Sequence, residues 1–464
     1  MSALASNCPR LVIAGTGSGV GKTSLALGLA RSLARRGMRV QTFKVGPDFL
    51  DPTYLARASG RTCYNLDGWM TGREYVRHLF ARATSDADIA IIEGVMGMFD
   101  GASATSLEGS TAEVALWLDA PVLLVADVYG VARSLAALVK GYAQFEPRVR
   151  VAGVLANRCG SEQHRAWLAE SLRGAGLAPL AGAVPRGALP ELRSRHLGLL
   201  TADDEAVPAA VLDQLADACE RHLEVEAIVR AASSTSAVAA DVAERPAPAQ
   251  QVRIGIACDA AFHFYYADGL ERMEREGAEL VRFSPLADRS LPDGLGGLYI
   301  GGGYPEVHAE ALSANRSMLD SVRSFAASGR PVYAECGGLM YLARQLTTSD
   351  GRSFPLVGLL PVAGRMLARL QAIGYVEVSL AEDSIWGRRG DTFRGHEFHY
   401  SELGGPVPAG SGWQPAYSLR RRSGGPAETE GLQKGHVLAS YVHVHFASQP
   451  GCIAHFLARC RETA

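Results

Sequence analysis

The chain has 464 residues, 47% of them hydrophobic and 20% charged, with a formal net charge of −2. That length implies two or three domains, and the near-neutral balance excludes a nucleic-acid backbone as main partner, which would demand a basic surface. No apolar run approaches the roughly 18 residues that span a bilayer, and the first ten residues have neither a basic start nor an apolar signal core. The eight cysteines are scattered without a C-x2-C pair, so the expectation is a reduced, cytoplasmic protein with no membrane partner.

The first patterned stretch is Leu11-Val-Ile-Ala14, then Gly15-Thr-Gly17-Ser-Gly19-Val-Gly21-Lys22-Thr23-Ser24, then an apolar helical pattern. A buried strand, a glycine loop and a helix start predict a phosphate site. Gly17, Gly19 and Gly21 let backbone N–H groups close on an anion, and the helix adds the positive end of its dipole. Lys22 would neutralise β/γ-phosphate charge and the Thr23 hydroxyl would ligate Mg²⁺, with Ser24 beside it in the ATP site. Thr16 stands where the common G-x4-G-K-[ST] spacing has its first glycine, so the loop from Gly15 is one residue longer.

Further strands are expected at Val40–Val45, Asp88–Glu93, Pro121–Asp127 and Val151–Asn157, with helical stretches between them. Continuous apolar strands alternating with helices indicate a doubly wound α/β domain whose ligands sit at the carboxyl ends of the strands. The glycine loop, Asp48, Asp51, Glu93 and Asp127 all fall there. Magnesium requires hard oxygen ligands, and Thr23, Asp48 and Glu93 are the candidates. Asp48 reads also as a turn residue and Asp51, before Pro52, as a helix N-cap. Asp100, in Met96-Gly-Met-Phe-Asp100-Gly, would face substrate, metal or solvent.

A stretch rich in Ala, Ser and Pro, residues 231–250, reads as a linker between residues 1–230 and 251–464. Strand–helix alternation then restarts at Arg253, Glu279, Gly297 and Pro331, giving a second α/β domain. Pro331-Val-Tyr-Ala-Glu335-Cys336-Gly337-Gly338 has the strand–turn–helix form of a nucleophile elbow, with a helix N-terminus expected to lower the thiol pKa. Cys63 and Cys258 read instead as small buried hydrophobes. Tyr441-Val-His443-Val-His445 supplies two histidines on one face of a strand pattern, either of which could be the base. Gly301, Gly302 and Gly303, with Gly337, could supply oxyanion N–H donors. Arg394-Gly-His396-Glu397-Phe-His399-Tyr400 is a further polar cluster.

Together these residues carry a resemblance. Gly301-Gly-Gly-Tyr-Pro-Glu306, the Cys336 elbow and Tyr-Val-His443 resemble a class I glutamine amidotransferase domain of flavodoxin-like fold. The lengthened loop resembles dethiobiotin synthetase and its relatives. The fusion, with Lys44-Val-Gly-Pro-Asp48-Phe-Leu-Asp51-Pro and Asn65-Leu-Asp67-Gly-Trp69, is similar to the cobyrinic acid a,c-diamide synthase family.

The resemblance implies an enzyme of cobalamin biosynthesis that amidates the a- and c-acetates of a corrinoid. ATP and Mg²⁺ activate each carboxylate as an acyl phosphate, and glutamine supplies ammonia through Cys336 and His443. It places Asp48, Asp51, Glu93 and Asp100 around metal and carboxylate, and the protein would be a monomer or homodimer. His445 stands where class I amidotransferases carry the glutamate that orients the histidine, which leaves open what orients His443. Hydrogenobyrinic acid, nickel-sirohydrochlorin and the cobyric acid synthase reaction are alternatives. A partitioning-type ATPase switch would fit the first half but leaves the second unexplained.

Overall fold

Strands made of Val, Ile, Leu and Ala without polar alternation need cover on both faces. The computed structural model, which describes residues 4–192, 207–240, 250–405, 407–422 and 424–463, provides that cover in the first of two units, formed within residues 4–240. Its sheet comprises β1 (Arg10–Gly15), β2 (Val40–Val45), β3 (Tyr64–Leu66), β4 (Ile89–Glu93), β5 (Val122–Asp127), β6 (Val151–Cys159) and β7 (Leu180–Pro185). All seven are parallel, in the order β3-β2-β4-β1-β5-β6-β7.

The helices in chain order are α1 (Lys22–Arg35), α2 (Asp51–Ser59), α3 (Gly68–Ala83), α4 (Thr111–Trp117), α5 (Ser134–Phe145), α6 (Glu162–Gly174), α7 (Ala209–His222) and α8 (Val225–Ala232). Connections run outward from β1 to β3 and then back through β4 towards β7. Right-handed crossovers therefore put α1 and α2 on one face and α3 to α6 on the other. The direction reverses between β1 and β4, and the glycine loop and Glu93 end those two adjacent strands. Against α1 lies α7, brought close by Gly28: a β-carbon there would stand 2.5 Å from Cys219 Sγ and 2.6 Å from the Leu215 carbonyl.

The expected linker is partly inside this unit. Helix α8 runs past residue 230, and Val238–Ala240 pairs antiparallel with Leu4–Ser6. Three-residue strands carry no periodic signal, and an Ala/Ser-rich composition hid this one; residues 241–249 lie outside the described residues.

The second unit, within residues 250–463, begins as a parallel sheet of β8 (Val252–Ala257), β9 (Ala278–Phe283), β10 (Gly297–Ile300) and β11 (Val332–Glu335). It continues with β12 (Ala372–Leu380), β13 (Thr392–His399), β14 (Gln414–Arg421), β15 (Glu428–Lys434), β16 (Val437–Ser440) and β17 (His443–Val444). The order is β9-β8-β10-β11-β16-β15-β14-β12-β13-β17, parallel as far as β16 and antiparallel beyond it. Although only Tyr441 and Val442 separate β16 from β17 in the chain, the two strands flank the antiparallel extension at opposite ends. Strand pattern is legible in the sequence at residues 375–378 and 436–442, where strands form, but the antiparallel pairing is not. Alternation sorts the central strands between two cores: Leu298, Ile300, Val332 and Ala334 in one, Tyr299 and Tyr333 in the other. Among the described residues no helix is long and apolar enough to cross a membrane.

Candidate active sites

In the first unit the glycine loop leaves β1 with Gly19 at φ +74° and Gly21 at φ +103°, a region that favours glycine. A β-carbon on Gly21 would collide with the Asn157 side chain, whose Nδ2 donates to the Val20 carbonyl at 2.9 Å. Asn157, at the end of β6, thus braces the loop. Gly17 and Gly19 face open space on their β-carbon side. Tyr142 on α5 donates to the Thr16 carbonyl at 2.7 Å, fixing the extra residue of the loop. The Lys22 ammonium donates to the carbonyls of Gly17 (2.8 Å) and Met96 (2.5 Å), so it lies over the loop beside the segment that follows Glu93. Ser24 follows on α1, half-buried.

The carboxylates divide. Thr23 Oγ1 donates to Glu93 Oε1 at 2.6 Å, and Lys44 Nζ reaches the same oxygen at 2.9 Å and Asp51 Oδ2 at 2.7 Å. Thr23, Lys44, Asp51 and Glu93 are therefore one cluster. Glu93 is fully buried, and its Oε2 has no hydrogen-bond partner among the described residues. Burial, with Asp51 beside it, pushes Glu93 up to about 7 against the pull of Lys44. Burial alone would lower Lys44, but Asp51 and Glu93 hold it charged and drive its pKa well above the ordinary lysine value.

Asp48 is engaged as a cap: its Oδ1 accepts from the N–H groups of Leu50 (2.8 Å) and Asp51 (3.0 Å). Asn65 secures that turn by donating to the carbonyls of Gly46 and Asp48, at 2.9 and 2.8 Å. Asp100 is exposed and accepts from Gly97 N–H at 2.8 Å. Asp127 lies 3.3 Å from Arg158 and caps Tyr129 N–H, apart from the Glu93 cluster's contacts. Lys44 and Asn157 are functional residues that the sequence motifs alone do not single out. A single charged residue in a strand that otherwise has none, Val40–Val45, was the signal for the first.

In the second unit Cys336 sits between β11 and the helix Gly337–Leu342 at φ +47°, ψ −99°, a strained backbone for a residue with a β-carbon. Gly338 admits the turn, since a β-carbon there would run into the Ile300 carbonyl. Burial pushes the Cys336 thiol up, with Glu306 and Glu335 adding to it. The expected lowering by the helix start is thus overturned: the helix has only six residues, and desolvation outweighs it.

The glycine strip also divides. Gly301 N–H is taken by Tyr265 Oη at 2.8 Å, so it does not serve as a free oxyanion donor. Gly303 N lies 3.0 Å from where a Gly337 β-carbon would be, which brings the strip against the residue after the thiol. Gly302 lies under the His443 ring: a β-carbon would stand 2.5 Å from Cε1 and 3.2 Å from Nε2. The other nitrogen, Nδ1, lies 3.5 Å from Glu335 Oε2. His445 is turned to other work, its Nδ1 accepting from Ala447 N–H at 3.3 Å and its Nε2 lying 3.5 Å from buried Asp268. Strand β17 ends at Val444, which is why the expected shared face breaks down.

In the polar cluster on β13, His396 stands opposite His443 in the register with its ring stacked on it, and accepts from or donates to Tyr266 Oη at 3.0 Å. Glu397 pairs with Arg421, and His399 stacks on Tyr441 at 3.9 Å. A cavity of about 360 Å³ holds Cys336, Gly303, Glu306, Asp350, Arg352 and Ser401 in its lining. Burial pushes Glu306 up to about 7. Of the two structural cysteines expected, Cys63 is buried but Cys258 is exposed.

A family model described as the CobQ/CobB/MinD/ParA nucleotide binding domain matches residues 11–199, and one described as a CobB/CobQ-like glutamine amidotransferase domain matches residues 253–451. The chain is 55% identical over 461 residues to the cobyrinate a,c-diamide synthase of Syntrophotalea carbinolica, covering 98% of this chain and 99% of that one. It is 44% identical over 452 residues to the enzyme of that name from Leptospira interrogans, covering 97% and 98%. To the hydrogenobyrinate a,c-diamide synthase of Streptomyces coelicolor it is 41% identical over 494 residues, covering 98% of each.

Proposed function

The chain belongs to the cobyrinate a,c-diamide synthase family, and we propose that it amidates the a- and c-acetate carboxylates of cobyrinic acid in the cytoplasm, with glutamine as nitrogen donor. One observation carries this reading. A thiol held at φ +47° and a glycine loop whose Thr23 meets buried Glu93 occur in the same polypeptide. The second site makes ammonia; the first prepares a carboxylate to receive it.

At the first site an acetate oxygen attacks the γ-phosphorus of ATP and ADP leaves, because a carboxylate itself does not react with ammonia. Ammonia then attacks the acyl carbon and phosphate departs, leaving an amide. Lys22 offsets charge on the transferring phosphoryl group while the loop N–H groups of residues 17–24 hold the phosphates. The orphaned Glu93 Oε2 and the Thr23 hydroxyl would hold a magnesium ion. When bound, the ion supplies charge neutralisation. Lys44 keeps Asp51 and Glu93 from repelling an anionic substrate, and Asp48 and Asp100 stand as further polar groups for metal or carboxylate.

At the second site Cys336 Sγ attacks the glutamine carboxamide. His443 takes the thiol proton and returns it to departing ammonia, and water hydrolyses the thioester. Gly303 and Gly337 N–H groups, with Gly302 close by, stabilise the oxyanion. The protein works on small molecules as a monomer or homodimer. Purified protein with Mg·ATP and glutamine should convert cobyrinic acid to a diamide, read by the mass change from OH to NH₂ at two positions. Conversion of hydrogenobyrinic acid alone would move the assignment to the cobalt-free ring, as the Streptomyces relative's name suggests. Conversion of neither would overturn the reading.

A further inference from the structure

Class I amidotransferases orient their histidine with a glutamate two residues further on, and this chain has His445 there, bound to Ala447 and Asp268. The group that faces the His443 Nδ1 is on another strand. Glu335 is the last residue of β11, immediately before the thiol, and its Oε2 lies 3.5 Å from that nitrogen, both side chains 3% exposed. Strand alternation explains the placement: Glu335 shares the face of Tyr333, the opposite face from Ala334. Tyr299 and Tyr333 donate to its Oε2 and Oε1 at 2.9 and 2.6 Å, so the carboxylate is fixed in place. Two neutral hydroxyls bond it without neutralising it, and among the described residues the basic side chain paired with it is the His443 imidazole.

We propose that Glu335 is the positioning residue of the thiol site, a carboxylate that precedes the nucleophile in sequence and replaces the glutamate missing after the histidine. It holds His443 with the proton on Nδ1, leaving Nε2, the nitrogen over Gly302, to take the Cys336 proton. It then offsets the positive charge on the imidazolium that forms. The buried thiol needs such help, because desolvation opposes the thiolate. One dipeptide, Glu335-Cys336, thereby carries the nucleophile on one side of the strand end and its base's anchor on the other.

This rests on Cys336 and His443 as nucleophile and base, so Cys336→Ala is run alongside. If that variant still uses glutamine, the thiol reading itself falls, whatever Glu335 does. Otherwise Glu335→Gln, nearly isosteric, with one tyrosine still donating to the carboxamide oxygen and the other turned to accept from its NH₂, should lower kcat for glutamine hydrolysis on the order of 10²–10⁴-fold. The KM for glutamine and amidation from ammonium salts should stay unchanged. Hydrolysis at the wild-type rate, or a loss confined to KM, would overturn the proposal. A measurement on the unaltered enzyme is independent of how the variant folds: ¹⁵N-histidine NMR, with the His443 signal assigned by its loss in His443→Gln, should show Nδ1 protonated. A proton on Nε2 in the resting enzyme would overturn it equally.

Discussion

Glu93 and Cys336 are both buried reactive groups, and the side chains around each decide what it can do. Glu93 is bonded through one oxygen to Thr23 and Lys44 and keeps the other without a protein partner. Glu93→Gln, which weakens both the ion pair and the metal site, should abolish amidation with glutamine or ammonia, yet leave glutamine hydrolysis intact. Equal loss of the two activities would show that the sites are not separable. Cys336→Ala should do the reverse, ending glutamine use while ammonium salts still support synthesis; the same mass assay reads both. At this scale the residues of the first motifs were legible, because a Gly-rich loop with Lys22-Thr23 has few other uses. Asp48 reads both ways in the sequence, since Gly-Pro-Asp encodes a turn as well as a ligand, and its Oδ1 makes the turn.

Among elements, the elbow is the one with least tolerance. Its geometry is set by what a β-carbon at Gly338 would meet, the Ile300 carbonyl at the end of β10, which cannot move without breaking the sheet. Gly338→Ala should therefore destabilise the second unit by about 1–3 kcal/mol and abolish glutamine hydrolysis, measured by chemical denaturation and ammonia release. Cooperative unfolding at the wild-type midpoint would show that the turn relaxes. Parallel strands were readable as apolar runs, as were β1, β2, β4, β5, β6 and β8 to β11. The short β3 and the Val238–Ala240 strand were not, since three residues cannot display a period. Nor was the position of His445, because strand alternation holds only while the strand lasts, and β17 stops one residue earlier.

For the molecule as a whole, partly desolvated acids give a pH dependence whose sign follows from their direction of shift. Glu430, half-buried where Ser440 Oγ donates to Oε2 at 2.6 Å and Tyr441 N–H to Oε1 at 2.7 Å, is pushed by desolvation from 4.5 up to about 7, as is half-buried Glu306. Between those values the folded chain holds protons that the unfolded chain has released. Stability from these groups is thus fully present below the unfolded pKa and is lost as pH rises through the folded one. The loss should be on the order of a few kcal/mol in all. Denaturation curves for wild type and Glu430→Gln between about pH 5 and 8 should diverge as pH rises, the variant losing less. Parallel curves would mean that Glu430 is already ionised at the acid end.

Local chemistry was legible in the order of residues: a phosphate loop, a thiol elbow, two α/β sheets and the family that joins them. All of these are written in contiguous stretches, where backbone geometry and side-chain type act together. Partnerships between distant stretches were not. That Lys44 joins Asp51 to Glu93, that Asn157 braces Gly21, and that Glu335 rather than a residue beside His443 faces Nδ1 each depend on strands adjacent in a sheet but far apart in the chain. Strand order is decided by the summed burial of many side chains, so no single motif encodes it.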